Sequence, residues 1–260
     1  MQTIKYLIIA ISILITTGCM SEHSRNQTTA ELTKERIDEY AYDFVYPIPT
    51  AFEVTEMLKG MDAGYILGSC NGPLNATKYI TEKKSAVNLG IYTADICYAS
   101  TYNRLDDVNA FVDAAYKMMD CLDVLHIMDK SLLDELNDNK DDPSERTRII
   151  SDMFYKLYDT LNKQGRPDVA MLIVYGAWTE SIYLAVNISE CTFENKMLMR
   201  IIADQKESVK TLSELVIQDD GLTELNVLYS NTDGAITEDV FHKIKNIVLD
   251  LRKNMTTFEL

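Results

Sequence analysis

The sequence predicts an all-α protein: a single multi-helix bundle of antiparallel helical hairpins around a central apolar helix. Three observations predict it. Apolar residues recur at three- and four-residue steps through most of the chain, the period of a helix that buries one face. No strand-like alternation bounded by hairpin turns appears anywhere of length. One segment, Asp168 to Ile188, is apolar on nearly every side, which marks a helix packed all around.

The first 46 residues stand apart from this pattern. Lys5 is followed by the apolar run Tyr6 to Ile15 and then Thr16, Thr17 and Gly18, the anatomy of an export signal. The run is about half of the ~20 residues a membrane span requires, so cleavage is expected. Thr16-Thr17-Gly18-Cys19 resembles the lipobox of bacterial lipoproteins, with Thr16 standing where that pattern usually has Leu. The resemblance implies a signal peptide over 1–18 and a lipid-bearing Cys19 at the mature N-terminus. Residues 19–46 read as a polar tether and lead-in, ending at Tyr46-Pro47-Ile48-Pro49, which resists a continuous helix. Met20 is not the Asp that favours inner-membrane retention in the lipoproteins this resembles, so the expected address is the outer membrane.

The helical domain is assigned to 47–260. Thr50 with Glu53 forms a capping box for a helix to about Met61, which Asp62-Ala63-Gly64 breaks. Gly68 to Pro73 is the densest turn signal in the chain. A long helix is then expected from about Ala76 to Arg104, with Val87, Ile91, Ala94, Tyr98, Ala99 and Tyr102 on its apolar face, and a second from Asp106 to Leu125 folds back on it as a hairpin.

A short helix near Ser131 to Leu136 precedes the polar run Asn137 to Asp142. Pro143 opens the next, striped by Ile149, Ile150, Met153, Phe154, Leu157, Tyr158 and Leu161, until Gln164-Gly165-Arg166-Pro167 ends it and starts the central helix. Two more are expected, Asn195 to Ile217 and Thr237 to Asn254, the last capped by Thr237.

Charge narrows the partners. With 40 acidic against 25 basic residues the net charge is -15, and no Lys/Arg cluster is present, which argues against nucleic acid and against an anionic membrane surface as partners. The acidity is expected to keep the domain soluble and off the membrane that tethers it. With Cys19 committed to lipid, Cys70, Cys97, Cys121 and Cys191 remain, an even number in an oxidising compartment. Disulfides are therefore open, as is the alternative that Cys97 and Cys121, in apolar helical patterns, pack as small hydrophobes. None shows the CxxC spacing of zinc or thiol-redox sites.

Two central helices each carry a carboxylate on an apolar background. Asn88, Asp95, Tyr98 and Tyr102 fall on one side of the first; Gly176, Glu180, Tyr183 and Asn187 fall on one side of the second. One reading makes Asp95, Tyr98, Tyr102, Glu180 and Tyr183 a slot for a small polar ligand or cation, because a buried carboxylate requires a partner. The other has Tyr98 and Tyr183 hydrogen-bond the acids and stitch two core helices together, and the sequence favours it.

A di-iron bundle would require Glu-x-x-His steps, where only Asp123-x-x-His126 and Asp239-x-x-His242 occur, so no metal or cofactor is expected. Only His23, His126 and His242 are available as bases, and no nucleophile elbow, phosphate loop or zinc motif is present. No catalytic residue is assigned and an enzyme is not expected. The hairpin around Asn103 has the small residues of a repeat-type crossing but no 34-residue recurrence.

The lipobox, Ile48-Pro49-Thr50, the segment Asn88 to Tyr98 and the segment Gly176 to Tyr183 together resemble a group of helical lipoproteins from gut-type Gram-negative bacteria. The resemblance covers most of the mature chain. It implies an envelope address and a helical fold, and it brings no activity or catalytic residues with it. The functional expectation is a non-enzymatic, lipid-anchored protein that binds an envelope protein or small ligand.

Overall fold

The computed structural model describes residues 47–127, 132–187, 194–216, 219–232 and 236–257. The signal, Cys19, the tether and Cys191 lie outside the described residues. The described residues hold ten α-helices and three 3-10 segments, and no strand.

Helix α1 spans Pro47–Gly60. It begins earlier than the Thr50 cap predicted, because Pro47 and Pro49 both fall in its first turn, where a missing N–H costs no intrahelical bond. A non-helical strap, residues 63–81, then carries 3-10 turns at Leu67–Ser69 and Pro73–Lys78. The long helix expected from Ala76 starts instead at Glu82, where the Thr81 hydroxyl accepts from Lys84 N–H at 3.3 Å. This α2 runs Glu82–Thr101, and α3, Leu105–Cys121, folds back on it as predicted.

Helix α4 is Leu132–Asp138, α5 is Pro143–Lys163 and α6, the predicted hub, is Pro167–Asn187. The helix expected over Asn195 to Ile217 is two, α7 (Lys196–Ala203) and α8 (Lys206–Leu215), broken at Asp204-Gln205. Between α8 and the last helix lies α9, Asp220–Ser230, which the sequence pattern did not single out. Its cap is Asp219, whose carboxylate accepts from Leu222 N–H at 3.1 Å. Helix α10 is Glu238–Thr256, capped by Thr237 as predicted.

Helices α1, α2, α3 and α5 end alike. Asp62, Asn103, Asp123 and Gly165 each take positive φ, 57°, 56°, 58° and 73°, and the next residue's N–H returns five residues, Ala63 to Leu58, Arg104 to Ala99, Val124 to Met119 and Arg166 to Leu161. This closure satisfies carbonyls that a helix end otherwise orphans. Asn and Asp tolerate the left-handed conformation better than other side-chain-bearing residues, so three of these stops need no glycine.

The centre holds two hub helices, where the sequence suggested one. α2 is buried along Ser85 to Thr101 and α6 along nearly its whole length. They run parallel in their deepest contact: Arg166 meets Glu82 at one end, and Gly90 and Gly176 meet in the middle. A Cβ on Gly90 would overlap the Ile173 carbonyl oxygen, and one on Gly176 the Val87 carbonyl oxygen. Backbone therefore touches backbone, and only glycine at both positions allows it. Although α6 is long and apolar enough to cross a membrane, it is buried inside the protein.

Buried Arg146 on α5 holds the C-terminal end of α2, donating to the Ser100 carbonyl and hydroxyl at 2.7 Å each. A cation there complements the helix dipole. Lys84 does the same for α10, donating to Asn254 O at 2.6 Å and Thr257 O at 3.0 Å.

Candidate functional site

The polar stripe of α2 faces the strap. The strap runs antiparallel to α2 along its length, and each turn of the helix offers it one polar group. The Tyr102 hydroxyl donates to Ala63 O at 2.8 Å, and the Tyr98 hydroxyl accepts from Ile66 N–H at 2.9 Å. Asp95 Oδ2 accepts from Asn71 N–H at 3.0 Å, and the Tyr92 hydroxyl donates to Gly72 O at 3.1 Å. Asn88 Oδ1 accepts from the Asn71 amide at 2.9 Å, and the Ser85 hydroxyl donates to Tyr79 O at 2.9 Å. A segment without regular structure has backbone groups that must find partners once covered. Here one helix face supplies them.

Asp95 and Glu180 converge beneath the middle of the strap, both fully buried. Glu180 is bridged by Arg252 of α10, with Nε 2.9 Å from Oε2 and an Nη 3.1 Å from Oε1. The same Nη donates to Ser69 O of the strap at 3.1 Å, and the guanidinium lies over the Tyr183 ring, 4.2 Å from its centroid. Arg252 thus joins α10, α6 and the strap.

The electrostatics follow from burial and from which acid holds the cation. Burial pushes the Asp95 carboxyl well above its usual range and the Glu180 charge pushes it further, against weaker opposition from Arg252. Glu180 is also raised by burial, but the ion pair with Arg252 opposes the shift directly. Asp95 is therefore the acid that keeps its proton. Its Oδ1 has no hydrogen-bond partner, and the Glu180 charge is close enough to act on it. Arg252 neutralises one buried acid, and burial favours the neutral form of the other, the condition under which such groups are tolerated in an interior.

Of the residues proposed for a ligand slot, the structure brings together Asp95, Glu180 and Tyr183. Tyr98 and Tyr102 stand apart from the acids, in an aromatic group with Tyr65, whose centroid lies 4.8 Å from Tyr98 and 5.6 Å from Tyr102. The expectation that Tyr98 and Tyr183 hydrogen-bond the acids is corrected: Tyr98 serves Ile66, and the Tyr183 hydroxyl accepts from Asn187 at 3.1 Å. The cation for Glu180 comes from the chain itself.

Arg252 escaped the sequence reading because it is a local anomaly only. It sits one turn after Val248 and beside Leu251 on an otherwise apolar stripe, the one clue to an inward-facing charge. Asn71, whose side chain also meets Tyr79 and Asn75, was visible only as part of a turn.

Comparison with protein families, curated proteins and solved structures finds no match.

The Cys70 thiol is buried, and burial above all pushes its pKa up, away from a thiolate at neutral pH. Cys70, Cys97 and Cys121 are all free; Cys97 is buried, as one of the two sequence readings had it, while Cys121 is exposed. Among the described residues no group of three or more His, Cys, Asp or Glu is placed to hold a metal. His126 is exposed, and His242, also at the surface, lies 3.9 Å from Glu238 and beside the Phe241 ring.

Proposed function

We propose that the chain is a lipid-anchored envelope protein, held at Cys19 and directed to the outer membrane, that binds an envelope partner without catalysing a reaction. The observation that supports this reading is the closed state of its polar core. Glu180 is committed to Arg252, and Asp95 to Asn71, so the acids hold helices and strap together and recognition falls to the surface. The resemblance to helical lipoproteins and the net charge of -15 agree with a soluble domain on a tether.

Two measurements test this. Palmitate labelling should be lost in Cys19→Ala while export persists; retained label would overturn the anchor. Crosslinking in native envelopes followed by mass spectrometry should recover one reproducible partner, and a crosslink profile no different from that of an unrelated lipoprotein would overturn the binding role.

A further inference from the structure

The strap has an outer face as well as the inner one that α2 reads. Of the seven large hydrophobic side chains exposed among the described residues, four belong to the strap: Ile66 at 46%, Leu67 at 50%, Leu74 at 83% and Ile80 at 82%. Single exposed aliphatics are ordinary, whereas a concentration on one segment marks a contact surface. These side chains project from a scaffold, because the strap backbone is bonded to α2 from Tyr102 to Ser85.

The same segment is low in acid. In a chain with 40 acidic residues, none falls between 63 and 81, although the exposed Asp62 and Glu82 flank it, and the one charged residue within it, Lys78, is exposed. From these observations we infer that the strap is a second membrane-attachment surface, whose aliphatic side chains enter the bilayer interface to which Cys19 is tethered. This rests on the anchor reading.

Three considerations select a bilayer over a protein. Protein contact centres draw on Trp, Tyr and Arg, while Leu is under-represented among their energetic anchors; the large hydrophobic side chains that the strap exposes are aliphatic. A second copy would bring another strongly acidic surface alongside, at a cost in repulsion. An anionic lipid surface likewise repels the acidic body, and the acid-free strap is the stretch that can approach it. Reach is sufficient: positions 20–46 are 27 residues, which span up to ~90 Å when fully extended. With the lipid already inserted, strap docking is intramolecular, so weak aliphatic contacts suffice.

The test uses the full chain, purified from envelopes and reconstituted in phosphatidylethanolamine–phosphatidylglycerol vesicles. The native Trp178 is buried in the core and serves as a background that lipid cannot reach. Leu74→Trp and Ile80→Trp are read with acyl-brominated lipids, and Val227→Trp, replacing an exposed aliphatic on α9, is the control. The strap variants should lose fluorescence to bromines placed about 5–10 Å below the headgroups, the depth of interfacial apolar faces, while Val227→Trp keeps its emission. Strap emission that bromolipids leave unquenched overturns the proposal. So does a blue shift that grows with protein density and is insensitive to bromine, which would place a second copy on the strap. The mass of the purified chain reads the anchor separately. An unlipidated Cys19 removes that reading alone, since the same quenching with excess vesicles still reports whether the strap enters the bilayer.

Discussion

Arg252 and Glu180 stand 72 residues apart in the chain and form the bridge on which three elements converge, with Glu180 fully buried and the Arg252 side chain 16% exposed. Breaking a buried pair from one side is costlier than removing both ends, because the orphan charge has nowhere to go. Arg252→Met should therefore cost about 3–5 kcal/mol in denaturant unfolding. The double variant Arg252→Met with Glu180→Met should recover most of that loss. A double variant no more stable than the single one would show that the bridge stabilises by more than mutual neutralisation.

Asp95 makes stability depend on pH. Its folded pKa lies above the ordinary value of about 3.9, through burial first and the Glu180 charge second. The folded state thus binds the proton more tightly than the unfolded chain, so stability is greatest below that ordinary value and falls as pH rises toward the folded pKa. Asp95→Asn keeps an acceptor for Asn71 N–H and supplies a permanent donor toward Glu180. It should be neutral or stabilising by about 1 kcal/mol at pH 7, and unfolding followed against pH should show a flatter profile through the acid range. A variant with undiminished pH dependence would assign the titration elsewhere.

The hub crossing is expected to be the least tolerant place in the fold. Gly90→Ala and Gly176→Ala each drive a methyl group into a backbone carbonyl of the facing helix, which rotamer changes cannot relieve. Losses of about 4 kcal/mol or more, at the extreme of single substitutions, are expected in thermal unfolding. Gly64→Ala, where a Cβ meets nothing within 4 Å, should shift the midpoint little.

Asn71 reads the strap onto α2, so Asn71→Ala should loosen the strap more than the bundle. The lost bonds to Asn88 and Tyr79 leave buried polar groups unsatisfied, worth about 1–3 kcal/mol. Amide exchange should accelerate at Ile66 and Asn71, with the α2 and α6 amides far less affected. Uniform acceleration would mean that strap and bundle open together.

Thiol labelling checks burial independently. In the native protein Cys121 should react with maleimide while Cys70 and Cys97 react only after unfolding. Fast native labelling of Cys70 would show that the strap opens readily.

Much of this fold is written in local pattern. The helical class, the α2–α3 hairpin, the all-round burial of Pro167–Asn187 and the Thr237 cap follow from periodicity and end signals, which neighbouring residues alone determine. Even the stripe Asn88, Asp95, Tyr98 and Tyr102 could be seen to be unusual. What it faces could not. Seen alone, a polar stripe on a helix suits water, a ligand or another part of the chain equally. Only the packed structure brings the strap against it and Arg252 across to Glu180. The parting of α7 from α8 and the second hub helix were likewise decided by distant neighbours: Gln205 turns inward to accept from Trp178 at 2.9 Å, and α2 is covered on its polar side as fully as on its apolar one. Helical period and capping are short-range, so the sequence alone determined them. The partner of a buried charge and the cover of an irregular segment depend on residues far along the chain, so they were settled only when tertiary packing brought those residues into contact.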